Sequence, residues 1–354
     1  MNEVMELSGA SGVAVRSAWE KAKDDNPGVR ARDAAALLGV SEASLVASLV
    51  GHGAIRLDGD FARLLERMPE AGKVMVLTRN ESCVHEKVGE YGNVDIPPGG
   101  GVVLNHDVDL RVFMGHWRHG YALEEPMKDG ALRRSLQFFD GEGVAVHKIY
   151  ARDATDIAAW SAILDAFRAV DQSDVFKPLA YPAKAAERAD SEIDIAGLRA
   201  NWEALQDVHE FFGMLRDFGV GRHQAFRLVG APYAEPVQTD SARRALETAA
   251  ERAAPIMVFV GNRGCIQIHT GPVEKIKAMG PWLNVLDPGF NLHLREDHIE
   301  SAWVVRKPTR DGTITSLELF DADSVNFAMF FGERKAGQHE REDWREIVGT
   351  LEAA

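Results

Sequence analysis

Two cysteines in 354 residues provide no disulfide framework, which fits a reducing compartment. No apolar run reaches the roughly eighteen residues that would span a bilayer. The opening Met1-Asn2-Glu3-Val4-Met5-Glu6 lacks the basic-then-apolar order of a secretory leader, so a cytoplasmic location is expected. Positive charge is also scarce. Lys and Arg number 40 against 54 Asp and Glu, a net of −14, which argues against broad binding to nucleic acid or anionic membrane and leaves only a local basic pocket. No Gly-rich phosphate loop, nucleophile elbow or nicotinamide fingerprint occurs. His116 and His119, with His106 or His147, form a poor zinc set, because no Cys-x-x-Cys or His-Glu-x-x-His accompanies them and a strand would turn the pair to opposite faces.

What is present is an ordinary globular composition, 45% hydrophobic and 27% charged, in a chain long enough for two domains or one domain built twice. Placing residues 75–130 over 257–312 aligns Met75 with Met257, Asn80 with Asn262, Cys83 with Cys265, Gly89 with Gly271, Leu110 with Leu292 and His116 with His298. In all, twelve of the 56 positions are identical, where composition alone gives about four. The register resumes at Asp140/Asp321, so the chain reads as a duplication. The equivalent positions of Cys83 and Cys265 suggest packing, not a redox pair.

Each copy predicts helices first and strands after. In the first, helices over 13–23, 30–38 and 41–50 precede strands over 74–77, 101–104, 110–114, 132–139 and 144–150, with Asp-Gly and Pro-Gly turns between them. In the second, one long helix over 193–218, shorter ones over 222–228 and 241–252, and strands from 256 onward are expected. The expected fold is α+β, an internal duplication in which each copy has N-terminal helices followed by a mostly antiparallel sheet. The expected division is 1–170 for the first repeat, 171–190 for a linker with Pro178 and Pro182, and 191–354 for the second.

His209 is the most informative residue. On the expected long helix it falls within about 80° of Leu198, Trp202, Leu205 and Phe212, on a face that should be buried. A buried imidazole needs a hydrogen bond or a metal, since an unpaired nitrogen costs on the order of 1–3 kcal/mol. Sequence alone leaves both partners open. In the run Leu110-Arg111-Val112-Phe113-Met114, Arg111 and Phe113 share a strand face, which suits either a pocket wall or an exposed arginine lying along the ring. Residues 32–45 mimic a helix-turn-helix, the basis of a DNA-binding regulator. Against that reading, residues 41–50 contain no Lys, Arg, Asn or Gln to read bases or grip phosphates.

The chain resembles the cytoplasmic hemin-degrading factors (HemS/HmuS type) of bacterial haem uptake. The resemblance covers nearly the whole chain: its length and duplication, the Asn26-Pro27-Gly28 and Ala36-Leu37-Leu38-Gly39-Val40-Ser41-Glu42-Ala43 opening, Asp109-Leu110-Arg111-Val112-Phe113, and Asp207-Val208-His209-Glu210-Phe211-Phe212. It implies one bound haem with His209 as the iron ligand. It also implies that Arg111 hydrogen-bonds a water, hydroxide or oxygen on the iron, that Phe113 and Phe259 pack on the porphyrin, and that Arg222, Lys307 and Arg334 are cations near the propionates. Residues 326–334 contain no tyrosine, so any tyrosine donor to a propionate there is missing. Met214, Met257 and Met329 read as core filler before they read as a sixth ligand. Two functions follow. The first is haem degradation with porphyrin opening and iron release. The second is carriage of haem, with an inner-membrane haem transporter or a haem oxygenase as partner.

Overall fold

The computed structural model describes Leu7 and residues 9–127, 129–183, 185–335 and 337–354. Residues 1–6, read above for a leader, lie outside them. The chain divides into two compact units. The first comprises residues up to Arg79, Lys87–Pro182 and Asn262–Gln267; the second comprises Asn80–Glu86, Ala183–Gly261 and Ile268–Ala354.

The units are built alike. In the first, strands run in the order Ala54–Arg56, His119–Pro126, Leu132–Phe139, Ala145–Thr155 and Gly72–Arg79, each antiparallel to its neighbour. In the second, the order is Ala234–Val237, Ser301–Lys307, Ile314–Phe320, Asn326–Gly332 and Ile256–Gly261, again antiparallel throughout. Each unit adds an antiparallel three-stranded ribbon, Val94–Asp95 with Gly101–Leu104 and Asp109–Val112, or Ile276–Met279 with Trp282–Asp287 and Phe290–Arg295. The loop chemistry is duplicated too. Asp140 accepts the Glu142 and Val144 amides as Asp321 accepts those of Asp323 and Val325, and Asn80 and Asn262 each accept the two amides that open the next strand. An Asx side chain that satisfies turn amides fixes the loop independently of packing, which is why both copies retain it.

In the second unit one sheet face packs on helices Ser241–Glu251 and Glu342–Gly349, through Leu246, Val258, Leu317, Phe330 and Trp344. The other face packs on helices Ile195–Glu203, Glu210–Phe218 and Arg222–Val229, through Trp202, Phe211, Phe226, Trp303 and Val305. Helices Phe61–Arg67 and Ile157–Phe167 in the first unit, and Glu342–Gly349 in the second, escaped the sequence reading, as did strands Cys83–Glu90 and His119–Pro126. Among the described residues no helix is long and apolar enough to cross a membrane.

Two expectations are corrected. Helix 193–218 is broken: Ile195–Glu203 ends, and a second helix starts at Glu210. The cause is local polar chemistry, because Asp207 accepts the His209 amide at 2.9 Å and Glu210 accepts the amides of Gln206 and Asp207, drawing donors away from the helix ladder. The strand carrying Arg111 ends at Val112, so Phe113 opens a 3-10 turn over Met114–His116 instead of continuing the face. The helix-turn-helix mimic is structural as well. In helix Glu42–Ala47, Glu42, Ala43, Leu45, Val46 and Ala47 are buried, so no face is free to read DNA.

Candidate functional site

The broken helix moves His209 from the core to the surface. It is the N-cap residue of Glu210–Phe218 and its side chain is 91% exposed. Its Nδ1 lies 2.5 Å from Asp207 Oδ1, and the His209 amide and ring together hold the Asp207 carboxyl below the usual range. A carboxylate on Nδ1 fixes the tautomer and orientation of the ring and leaves Nε2 for another partner, the arrangement common to metal-bound histidines. Phe212, also expected inside, is 64% exposed.

Behind this surface lies a buried ionic cluster. Arg222 forks onto Glu318 at 2.6 and 2.8 Å, and Lys307 Nζ reaches the same carboxylate at 2.9 Å, as does the Ser316 hydroxyl at 2.8 Å. Burial alone would raise the Glu318 pKa, but the two cations outweigh it and hold the group down to about 2. The Arg222 guanidinium also lies over the rings of Phe211, Phe212 and Phe226 at 5.1–5.7 Å, with Lys307 4.7 Å over Phe211. Two cations on one carboxylate leave a net positive charge in an apolar setting.

The same sheet face continues past these helices as an incompletely covered apolar surface. Met257, Phe259, Met329 and Phe331 are half-buried and face one another across the strand pair, with the Phe259 and Phe331 rings 5.0 Å apart. Arg222 reaches the edge of this patch, 3.4 Å from Met329 Sδ. Met214 is in the core.

The structure thus brings Arg222 and Lys307 together and sets Phe259 on the neighbouring strands. Arg334, half-buried just beyond strand Asn326–Gly332, belongs to neither the ion cluster nor the aromatic pair. In the first unit, Arg111 pairs closely with Asp109 and donates to the Leu110 carbonyl at 3.2 Å, and Phe113 is 40% exposed. The sequence reading missed Glu318, Asp207, Asp109 and Phe211. The first had a legible signal, an acid between Leu317 and Leu319 in an otherwise buried strand. The two cysteines are buried and free, and burial pushes the Cys265 thiol up to about 12 against the Thr78 hydroxyl that donates to its sulfur.

Comparison with known proteins gives the same lineage along almost the whole chain. It is 42% identical over 335 residues, 94% of the chain and 96% of the relative, to the hemin transport protein HmuS of Yersinia pestis. The fold superposes on holo-PhuS, a heme-binding protein from Pseudomonas aeruginosa, with a TM-score of 0.95 and 46% identity over 97% of this chain and all of that one. It also superposes on the heme degrading enzyme ChuS of Escherichia coli O157:H7, with a TM-score of 0.88 and 40% identity over 97% and 100%. The haemin-degrading HemS/ChuX domain model matches twice, at residues 39–167 and 219–351, once in each copy of the duplication, and the chain therefore belongs to that family.

Proposed function

We propose that this chain binds haem, with His209 as the iron ligand, and opens the porphyrin ring, releasing iron, in the cytoplasm. The observation that carries this reading is the exposed imidazole of His209, held through Nδ1 by Asp207, three residues before the exposed ring of Phe212. The surrounding residues fit such a substrate. Haem is a flat apolar disc with two carboxylates, and the uncovered Met257, Phe259, Met329 and Phe331 surface supplies apolar contact while the Arg222–Lys307–Glu318 cluster beside it carries excess positive charge.

Haem itself supplies the iron at which ring opening is initiated; the protein binds, orients and shields it. In this reading His209 ligates the iron, Phe113 and Phe259 pack on the macrocycle, and Arg222, Lys307 and Arg334 attract the propionates. Arg111, steadied by Asp109, would offer its guanidinium to a small polar ligand on the haem iron. The Glu318 carboxylate keeps Arg222 and Lys307 in place in the absence of a propionate.

Carriage is the second reading. It is favoured by the name of one relative, a hemin transport protein, and it would pair the chain with an inner-membrane haem transporter or a haem oxygenase. The two readings separate in one experiment. Hemin-loaded protein given a reductant in the presence of catalase should lose its Soret band and yield a linear tetrapyrrole if it degrades haem. Bleaching that stops when catalase is added, with no such product, would leave carriage.

A further inference from the structure

The two units use the same sheet face differently. In the second unit, one cross-strand row reads Pro236, Trp303, Glu318, Met329, and its one carboxylate is fully engaged by Arg222, Lys307 and Ser316. At the equivalent row of the first unit, the paired residues are Arg56, Tyr121, Gln137 and Lys148. Four polar or charged side chains thus stand where the copy has three apolar ones and one acid. Arg79 and Lys148 both pair with Glu42, which arrives from the buried helix Glu42–Ala47.

This row is left unsatisfied. The Tyr121 hydroxyl, Gln137 Oε1 and Arg79 Nη1 are buried without a hydrogen-bond partner, as is Nε2 of His119, two residues before Tyr121 on the same strand face. Tyr121, Gln137 and Arg79 are each more than nine-tenths buried. Native interiors seldom leave several such atoms unpaired in one place, since each costs about 1–3 kcal/mol. The charge is unbalanced as well. Arg79 and Lys148 share the single Glu42 carboxylate, and Arg56, at the other end of the row, donates to the carbonyls of Ser173 and Val175 instead of to an acid. Burial, then Arg56 and Arg118, push the His119 imidazole down to about 4, in keeping with a positive environment.

We propose that the first unit holds a small oxyanion of the phosphate or carboxylate class between the helix Glu42–Ala47 and the row Arg56, Tyr121, Gln137 and Lys148. Tyr121 and Arg79 donate to it, Gln137 presents its amide once the side chain is turned, and Arg56 and Lys148 supply the charge. The segment 172–176 closes over the position, with Ser173 and Val175 held by Arg56 and the Phe176 ring 4.8 Å from His119. The site involves none of the residues assigned to haem on the second unit, so the two ideas stand or fall separately.

The test is thermal unfolding of the haem-free full chain in inorganic phosphate, acetate or chloride at matched ionic strength. Phosphate or acetate at 10 mM should raise Tm by about 3 °C or more above chloride, saturably, and whichever anion acts identifies the class. Tyr121→Phe and Gln137→Leu should each remove the saturable rise while unfolding cooperatively in chloride. Titration calorimetry on the parent protein should find one site per chain, a reading that needs no variant. No rise beyond chloride and no heat would mean that ordered water alone satisfies the row, and a rise equal in parent and variants would mean surface ions; either overturns the proposal.

Discussion

His209→Ala separates the ligand role of the imidazole from any structural role, because the structure makes the two costs so different. The ring is 91% exposed, caps nothing in its helix and, among the described residues, pairs with Asp207. An exposed pair of this kind contributes roughly 0.2–1 kcal/mol, and alanine is the best helix former, so Tm should fall by no more than about 3 °C. Loss of an iron ligand is much larger. Hemin affinity should drop at least about tenfold, which corresponds to about 1.4 kcal/mol, and the Soret band should shift. Added imidazole should restore the parental spectrum, which no structural role would allow. Asp207→Asn should also weaken binding, by roughly tenfold, through loss of the orienting partner on Nδ1. Hemin titration by absorbance, alongside a thermal melt, reads both quantities. A variant that binds hemin within twofold of the parent with an unchanged Soret band would refute the argument, and so would a melt lowered by ten degrees.

Glu318→Gln should leave Arg222 and Lys307 buried without a countercharge and destabilise the second unit by on the order of 3–5 kcal/mol, seen as a reduced denaturant midpoint. Glu42 and Glu318 are both held at about 2, below their unfolded value of 4.5, so the stability they contribute is complete above pH 4.5 and is lost as pH falls toward 2. His147 adds to the same acid limb. Burial depresses it from 6.5 to about 3, so the unfolded chain takes up its proton first and stability should decline as pH drops below 6.5, a decline that a melt series in pH should record and that His147→Gln should flatten. Arg111→Ala should leave hemin affinity within about threefold while altering the Soret spectrum or slowing tetrapyrrole formation; an affinity loss as large as that of His209→Ala would make Arg111 a binding anchor instead.

The sequence was legible wherever a pattern is local or repeated. The duplication followed from matched residues at a fixed offset, and strands Gly101–Leu104 and Leu132–Phe139 and helices Arg222–Val229 and Ser241–Glu251 lie within a residue or two of the positions their periodicity predicts. The α+β class came from the same source. It failed where polar side chains compete with the backbone: periodicity placed His209 inside, but Asp207 and Glu210 capture amides and break the helix just before it. It also missed His119–Pro126, a strand that mixes the buried Tyr121, Ala122 and Leu123 with Glu124 and Glu125, which pair with Arg134 and Arg133.

By itself, then, the sequence determined that the chain is a duplicated α+β protein and which imidazole and guanidinium to watch, because periodicity, repeat and motif are properties of neighbours along the chain. Only tertiary structure decided that His209 is exposed and steered by Asp207, that Arg222 and Lys307 are spent on Glu318, and that one row on the equivalent face of the first unit holds buried polar atoms without partners. Those outcomes depend on charges and donors that meet from strands and helices up to about a hundred residues apart, and their energies are fixed by burial, which no local pattern encodes.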